Sequence, residues 1–411
     1  MLCIMKYSKR LAYWLTCWII VAPWRRTLRQ HLFEWFVKTF VEKKAEVEIK
    51  QPITDERLFP LIQDCLIKTE NLSAKKLIVI LVPEGNFMSG GIYSFFTIAK
   101  ELKSLKHIHG CDVVVMTRPN VNLRTYVRQT HFRNEFIVYR FSQLCLFSEL
   151  EELILFIPEE SVARFHNIIS FSKQIMNYIQ SIGKLHINIM NQNILLMPER
   201  QEFQSLYQLT SNITQTTAHD QYCTQEFSDR YGLKTLLIPP FTDLSLYPII
   251  PFEKKKKRIL YSPDADVKKS EILNKLAEEL PEYELMEIKG MTFDYYVSLV
   301  SQSRFMITFG EGLDGYFAQT FLMQGVAFAV YNKHFFPESE DFNTENIFTS
   351  YDEMKEKIVE SILMYERDES LRESAIGHYV DMQNRLYSKK RYLAALERFC
   401  LNEYDFYPKN H

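Results

Sequence analysis

The sequence predicts an α/β protein with two parallel-sheet domains, and three observations support this fold class. From residue 75 onward, short continuous apolar runs alternate with segments of helical period, a pattern typical of parallel sheets covered by helices on both faces. A proline-rich stretch at residues 239–251 interrupts the alternation. A second alternating unit follows it, so we expect two domains that face each other across a cleft.

The first domain begins with an apolar run at residues 77–82 that is too continuous for a half-exposed edge strand. A turn containing Gly90 and Gly91 follows, and the spacing predicts a helix over 92–105. Further strands are predicted at 111–117, 136–141, 153–157, 185–190, 213–217 and 236–238, with helical spacing at 161–181 and before Tyr231. These elements alternate as a parallel sheet requires.

The second domain begins with a predicted strand at 259–261. A helix at 270–280, a strand at 284–288 and a helix at 293–301 follow, and residues 351–399 are almost wholly helical. We therefore predict four units: a helical N-terminal extension (1–75), a first α/β domain (76–250), a second α/β domain (251–375) and a helical tail that packs back on the first domain (376–411).

Composition excludes some classes of partner. The 411-residue chain has a formal net charge of -2, so no overall positive field predicts a nucleic-acid partner. The seven cysteines are an odd number, widely scattered, with no CxxC pair and no zinc spacing. We therefore expect reduced thiols in a cytoplasmic protein.

The N-terminal segment is basic and apolar. Residues 11–22 form an apolar run flanked by Lys and Arg on both sides, with no acid before Glu34. The run is shorter than the ~20 residues that a spanning helix needs. We expect residues 1–45 to lie on the inner face of a cell membrane as a peripheral anchor, with aromatics at the headgroups and arginines against anionic lipid. The alternative is a hydrophobic helix docked on its own domain or on a partner.

Residues 306–331 carry the strongest functional signal. An apolar run ends in a glycine-rich turn that holds Glu311, and a helical pattern and a second apolar run follow. Free backbone N–H groups and the positive end of a helix suit a phosphate, and a carboxylate accepts hydrogen bonds from sugar hydroxyls. The stretch predicts a nucleotide-sugar site. The alternative is a helix-starting acid between two plain turn glycines.

Four segments resemble the glycosyltransferases of the GT-B architecture. They are the Gly90-Gly91 pair, the proline turn at 238–248, the strand and basic residues at 258–269, and the acid-glycine loop at 309–315. The likeness spans about residues 76–400 and is strongest to the retaining bacterial glycan-assembly enzymes of glycosyltransferase family 4. It implies two Rossmann-like domains facing a cleft, the first for the acceptor and the second for the donor.

The resemblance implies a hexosyltransferase that moves a sugar, with retention, from a nucleoside diphosphate to a growing bacterial surface glycan or lipid-linked acceptor. Glu311 is the principal catalytic-site residue it implies, and Gly90 and Gly91 belong to a loop near the donor phosphates or the acceptor. The donor-binding residues it implies are Lys268, Lys269, Gly310, Gly312, Asp314, Gly315, Gln319 and Thr320.

The sequence departs from that family at two places. Gln319 stands where the family has a second glutamate, and Pro263 and Asp264 stand where it has an arginine. These departures motivate a rival interpretation, a non-catalytic partner in glycan assembly that retains the fold. A nucleotide-sugar epimerase on the same fold is a third alternative.

A general base is harder to assign than the donor loop. His219, next to Asp220, follows a predicted strand near the cleft, and this pair is preferred over His109, His131 and His186, although a lone histidine is more often a surface or core residue than a catalyst. Residues 191–193 (Asn-Gln-Asn) also follow a strand. They read as a polar turn or as amides that bind sugar hydroxyls.

Asp264-Ala-Asp266 has the spacing that holds a metal in the other large glycosyltransferase architecture. Three-residue patterns occur often by chance, and the two-domain organisation argues against that architecture. We therefore expect no metal and no cofactor beyond the nucleotide-sugar co-substrate.

Overall fold

The computed structural model describes residues 73–83, 89–119, 136–337, 340–342 and 344–409. The predicted membrane-surface segment, residues 1–45, lies outside these ranges. Among the described residues, no helix combines the length and the apolarity that crossing a bilayer would require.

The first sheet has seven strands, all paired in parallel, in the order β3-β2-β1-β4-β5-β6-β7. The strands are β1 (Lys76–Val82), β2 (Asp112–Thr117), β3 (Val138–Tyr139), β4 (Glu152–Pro158), β5 (Lys184–Asn191), β6 (Ile213–Thr217) and β7 (Lys234–Leu237). The helices of this part are α1 (Gly90–Ser104), α2 (Lys106–His109), α3 (Glu159–Ile169), α4 (Lys173–Ser181) and α5 (Gln225–Tyr231).

Strand β1 shows why this sheet is buried on both faces. Ile78, Ile80 and Val82 belong to one apolar core, and the alternate residues Leu77, Val79 and Leu81 belong to another. Successive side chains of a strand point to opposite faces, so a continuous apolar run needs cover on both sides. The prediction of a sheet wrapped by helices is confirmed.

The second sheet has five strands in the order β12-β11-β10-β8-β9, again all parallel. Its strands are β8 (Lys256–Tyr261), β9 (Glu284–Glu287), β10 (Ser303–Ile307), β11 (Val326–Val330) and β12 (Ile347–Phe348). The helices are α6 (Lys269–Glu279), α7 (Phe293–Gln302), α8 (Gly315–Leu322), α9 (Tyr351–Arg367), α10 (Glu369–Leu386) and α11 (Lys389–Cys400).

The C-terminal helix returns to the first sheet. Helix α11 contacts α1, α2 and β7. Beyond it, Phe406 forms an antiparallel bridge with Thr235, and the Asp405 carboxylate accepts a 2.8 Å hydrogen bond from the Leu237 N–H. The chain end therefore adds contacts to the edge strand β7.

The carboxyl ends of the two sheets meet at a crevice. Asn193, just after β5, donates a hydrogen bond to Glu311, which follows β10. Tyr222, beyond β6, donates to the carbonyl of His334, beyond β11. Since ligands of open α/β sheets bind beyond the carboxyl ends of the strands, this crevice is where a ligand site is expected.

Candidate active site

The loop between β10 and α8 requires its glycines. Gly310 and Gly312 have φ angles of 73° and 77°, a left-handed backbone conformation that residues other than glycine rarely adopt. A Cβ on Gly312 would also lie 2.7 Å from the Val330 carbonyl oxygen. The loop is thereby pressed against β11, and Glu311, between the two glycines, is directed to the first domain.

Asp314 occupies the N-terminus of α8. It is the N-cap residue, and its carboxylate accepts a 2.9 Å hydrogen bond from the Phe317 N–H. An acid at this place satisfies a free donor of the first turn and interacts favourably with the helix dipole. The predicted donor-binding residue Asp314 thus caps the helix whose positive end the predicted phosphate site would use.

Three carboxylates lie close together in the crevice. Burial raises the pKa of Glu311, the nearby charge of Asp264 raises it further, and the Asn193 hydrogen bond opposes the rise. Burial also holds the pKa of Asp314 well above its ordinary value, with Glu311 and Asp264 adding to the effect. Raised pKa values at Glu311 and Asp314 are expected where like charges lie close together away from water.

Two backbone donors of the loop already have partners. Phe309 N–H donates to the Ser262 hydroxyl at 2.9 Å, and Gly310 N–H donates to the Tyr351 hydroxyl at 2.8 Å. Tyr351 begins α9, and its ring stacks on Phe309 with centroids 5.9 Å apart. A phosphate at Gly310 would have to displace that hydroxyl.

The two predicted phosphate-binding lysines differ in their surroundings. Lys269 donates to the carbonyls of Ser262 and Asp264 and to Glu287, at 2.7 to 3.1 Å. Its ammonium also lies over the Tyr261 and Phe309 rings, so its donors hold the loop after β8. Lys268 pairs with Asp352 at 3.0 Å and is more exposed.

Gln319 and Thr320 lie on α8 and are buried. The Gln319 side chain accepts a 2.6 Å hydrogen bond from the Tyr296 hydroxyl and donates to Thr242 at 3.2 Å, so it ties α8 to α7 and to the interdomain connection. The Thr320 hydroxyl donates to the Tyr316 carbonyl within the helix. Gly315, by contrast, is exposed at the start of the helix.

On the first-domain side, Gly90 and Gly91 begin α1. A Cβ on Gly90 would meet no atom within 4 Å, whereas one on Gly91 would lie 2.8 Å from Gln192 Oε1. Gln192 donates from its amide to the Ser94 hydroxyl at 2.9 Å. The absence of a side chain at Gly91 therefore leaves room for Gln192, which joins α1 to the loop after β5. The space beside Gly90 is unfilled.

His219 lies beyond the end of β6, within the interdomain contact. Its Nε2 lies 3.0 Å from the Gln192 carbonyl oxygen, which requires a proton on Nε2 and leaves Nδ1 of the neutral ring as an acceptor. Burial lowers its pKa. The ring packs edge-on against Phe335 of the second domain with centroids 6.0 Å apart, so His219 contacts both sides of the crevice.

Sequence reasoning did not identify the pairing of Asn193 with Glu311, nor the role of Glu159. The Asn193 side-chain amide donates to Glu311 Oε1 at 2.9 Å, and the Asn193 backbone N–H donates to Glu159 Oε1 at 2.9 Å. Glu159 is 5% exposed. The sequence indicated Asn193 only as part of a polar turn or as an amide for sugar hydroxyls, and an acid in the first turn of a helix is too common to indicate a buried carboxyl.

The remaining histidine candidates do not join this group. His109 and His186 line a cavity of about 460 Å³ at the amino ends of the strands of the first sheet, the opposite edge from the crevice. His186 is buried, its Nε2 lies 2.8 Å from the Thr214 hydroxyl, and burial lowers its pKa to about 4. His131 lies outside the described residues.

The two acids of the Asp264-Ala-Asp266 segment have different surroundings. Asp266 accepts a 2.8 Å hydrogen bond from the Lys268 N–H and so closes a turn, while the Asp264 side chain lies beside Gly310. Among the residues that the structure describes, no group of three His, Cys, Asp or Glu side chains has the arrangement of a metal site.

No protein-family model and no curated protein matches the sequence. Solved structures of similar fold exist. One is an α-glucosyltransferase in complex with UDP-glucose and DNA containing an abasic site, with a TM-score of 0.50 at 8% identity over 78% of this chain and 99% of that chain. Another is an α-glucosyltransferase in complex with UDP and a 13-mer DNA containing a HMU base, with a TM-score of 0.50 at 10% identity over 78% of this chain and 98% of that chain.

At these identities the likeness concerns the fold. The chain has the GT-B fold, an α/β architecture of two Rossmann-like domains. The predicted fold class is confirmed.

Proposed function

We propose that this protein is a glycosyltransferase that takes a sugar from a nucleoside-diphosphate donor. The observation that carries the proposal is the position of Glu311, in a two-glycine loop at the carboxyl end of β10, facing the first domain. A carboxylate there accepts hydrogen bonds from sugar hydroxyls. The solved neighbours with this fold were bound to UDP-glucose or UDP, so UDP is the first nucleotide to test.

In this proposal the diphosphate binds over the loop that precedes α8. Gly310 and Gly315 let the ligand approach the backbone closely, Gly312 lets the loop pack against β11, and the start of α8 supplies a positive dipole end. Lys268 is the cation nearest solvent among the predicted donor ligands, whereas Lys269 supports the loop from behind through its three hydrogen bonds. Gln319 and Thr320 shape α8 behind the loop.

The reaction breaks the bond between the anomeric carbon and the diphosphate oxygen and forms a bond from that carbon to an acceptor oxygen. The acceptor hydroxyl loses its proton, and the departing diphosphate gains negative charge, which nearby N–H groups and cations stabilise. In the retaining course that we propose, the leaving diphosphate oxygen takes that proton. His219 Nδ1 is the protein acceptor that we propose for relaying it.

We further propose that the enzyme transfers a hexose with retention of configuration and without a metal ion. The acceptor in this proposal is a growing bacterial surface glycan or a lipid-linked sugar. We propose that the enzyme works as a peripheral protein at the inner face of the cell membrane, held through residues 1–45. Support comes from the basic, apolar sequence of that segment. Deleting residues 1–45 and fractionating cells tests the anchor, because unchanged membrane association of the truncated chain would reject it.

The activity is tested by incubating the full chain with UDP-, GDP-, ADP- and dTDP-sugars and measuring release of the nucleoside diphosphate. We expect slow donor hydrolysis with one nucleotide and faster release when membrane lipid extract or cell-surface glycan is added. EDTA should leave the rate unchanged. Retention is read from the anomeric configuration of the product.

Other outcomes separate the rivals. Failure to bind any nucleotide-sugar favours the non-catalytic partner. Interconversion of donor sugars without acceptor favours the epimerase. Transfer to DNA, the molecule present in the two solved neighbours, would contradict the proposed acceptor.

A further inference from the structure

Asn193 is held at three points. Its backbone N–H donates to Glu159 Oε1 at 2.9 Å, its Oδ1 accepts a 3.0 Å hydrogen bond from the Leu195 N–H, and its Nδ2 donates to Glu311 Oε1 at 2.9 Å. The bond from Leu195 fixes which end of the amide is oxygen, because only the oxygen accepts. The NH₂ group must therefore face Glu311 across the crevice.

Glu159 is the support behind Asn193. It is the first residue of α3, where the helix dipole favours an acid. Its carboxyl accepts hydrogen bonds from backbone N–H groups that include those of Gln192 and Asn193, while burial raises its pKa to about 7. A buried carboxyl surrounded by backbone donors sets the path of the loop after β5.

The bond from Asn193 occupies only part of the Glu311 carboxylate. Oε1 accepts from Asn193, and among the described residues no hydrogen-bond donor reaches Oε2. A carboxylate has about four acceptor positions, so a sugar hydroxyl fits beside the amide. The amide is also the donor that offsets the repulsion of Glu311 by Asp264.

We propose that Asn193 is a positioning residue that orients the Glu311 carboxylate for a hydroxyl of the donor sugar, and that it does so only when the two domains close. The inference rests on the proposed function and deepens it. Asn193 belongs to the first domain and Glu311 to the second, so separation of the domains breaks the bond. Closure would thus complete the sugar site, which limits donor hydrolysis in the open form.

The test compares Asn193→Ala and Asn193→Asp with wild type, using titration calorimetry with UDP and UDP-glucose. We expect both variants to bind UDP within twofold of wild type at pH 8. The extra affinity that the glucose confers should fall roughly 10-fold in Asn193→Ala, since the lost bond is to a charged acceptor. Asn167→Ala and Asn167→Asp, at an exposed position of α3, are the matched controls and should behave as wild type.

The pH dependence of UDP-glucose affinity shows whether Asn193 orients Glu311 or only fills space beside it. In Asn193→Asp a second carboxylate faces Glu311, so affinity for UDP-glucose should fall below that of Asn193→Ala at pH 8. It should recover at pH 5.5, where the pair shares a proton. Other ionisable side chains lie near the pair, so Asn193→Asp is compared with Asn193→Ala at each pH; these side chains are Glu159, His219, Asp264, Asp314, Tyr316 and Tyr351.

A second measurement keeps this inference separate from the proposed function. Dyes introduced through unnatural amino acids at the exposed positions Ser181 and Glu278 report the interdomain distance by energy transfer, without any ligand. Asn193→Asp should lengthen that distance at pH 8 and restore it at pH 5.5. If wild type binds no nucleotide-sugar but the distance changes as stated, the proposed activity is wrong, whereas the contact between Asn193 and Glu311 still holds the domains together.

Two results would overturn the inference. One is that Asn193→Asp leaves the distance unchanged at both pH values. The other is that Asn193→Ala binds UDP-glucose as wild type does, while wild type binds UDP-glucose more tightly than UDP.

Discussion

The hydroxyl of Tyr351 accepts a 2.8 Å hydrogen bond from the Gly310 N–H, so this amide of the loop between β10 and α8 is already engaged. A donor diphosphate bound at this loop, as proposed, would accept hydrogen bonds from such amides. In that complex the Tyr351 hydroxyl would compete with the phosphate for the Gly310 N–H. Removing the Tyr351 hydroxyl should therefore increase the affinity for a diphosphate ligand.

Tyr351→Phe should tighten binding of UDP roughly 5-fold, because the ligand no longer has to break a protein hydrogen bond. Titration calorimetry measures the change. Tyr295→Phe, at an exposed tyrosine of α7, is the control and should bind as wild type does. Weaker binding by Tyr351→Phe would mean that the hydroxyl itself contacts the ligand.

The glycine pair at the start of α1 allows a matched comparison. Gly91→Ala should lower the free energy of unfolding by about 1 kcal/mol, because the new Cβ displaces Gln192 and weakens its bond to Ser94. Gly90→Ala should leave stability unchanged or slightly higher, since nothing lies within 4 Å. Chemical denaturation measures both. Equal losses would contradict the assigned contacts.

The pair also tests the predicted ligand loop. An activity loss in Gly90→Ala at unchanged stability would show that substrate approaches that backbone.

Lys269 and Lys268 should respond differently to substitution. Lys269→Met removes a half-buried ammonium from three oxygen acceptors, so we expect a loss of about 2 kcal/mol in unfolding free energy. Lys268→Met should cost no more than about 0.5 kcal/mol, since its ion pair with Asp352 is exposed. Its effect should appear in donor affinity. If Lys269→Met is as stable as wild type but binds the donor more weakly, Lys269 contacts the diphosphate and does not mainly support the loop.

Lys255 predicts a pH dependence of stability. Its side chain is buried, its Nζ donates to the Ser301 carbonyl at the end of α7, and burial lowers its pKa from 10.5 to about 7. Between those values the unfolded chain binds the proton and the folded chain does not, so stability rises with pH. Between pH 7 and pH 9 the gain should be about 2 kcal/mol.

Lys255→Met should remove that rise, and Lys256→Met, at an exposed neighbour, should retain it. Denaturant titrations at pH 7, 8 and 9 provide the data. The same slope in both variants would contradict a neutral buried lysine.

The sequence predicted most of the fold because strands buried on both faces are continuous apolar runs. Residues 77–82 and 306–331 were interpretable for this reason. Strand β1 begins one residue before its predicted run, and the order predicted within 306–331 is the order of β10, α8 and β11, although β10 begins three residues earlier, at Ser303. The glycines of the 310–315 loop were likewise informative. Gly310 and Gly312 have positive φ angles, which belong to a turn that other residues rarely adopt.

The partners of the site residues could not be predicted in the same way. Asn193 and Glu311 are 118 positions apart in the chain, and their contact depends on how two domains face each other. Lys269 was interpreted from its charge, but its role depends on carbonyl groups of the loop after β8. Local patterns indicate which elements form, whereas such pairings depend on tertiary geometry.

The central claim is that Glu311 binds the sugar of a nucleoside-diphosphate donor. The most direct measurement is calorimetric titration of wild type, Glu311→Gln and the exposed-site control Glu278→Gln with UDP and with UDP-glucose. We predict equal UDP affinity in all three proteins and a loss of the added affinity from glucose, roughly 10-fold, in Glu311→Gln alone. Wild type that binds no nucleotide, or Glu311→Gln that binds UDP-glucose as tightly as wild type does, would contradict the account.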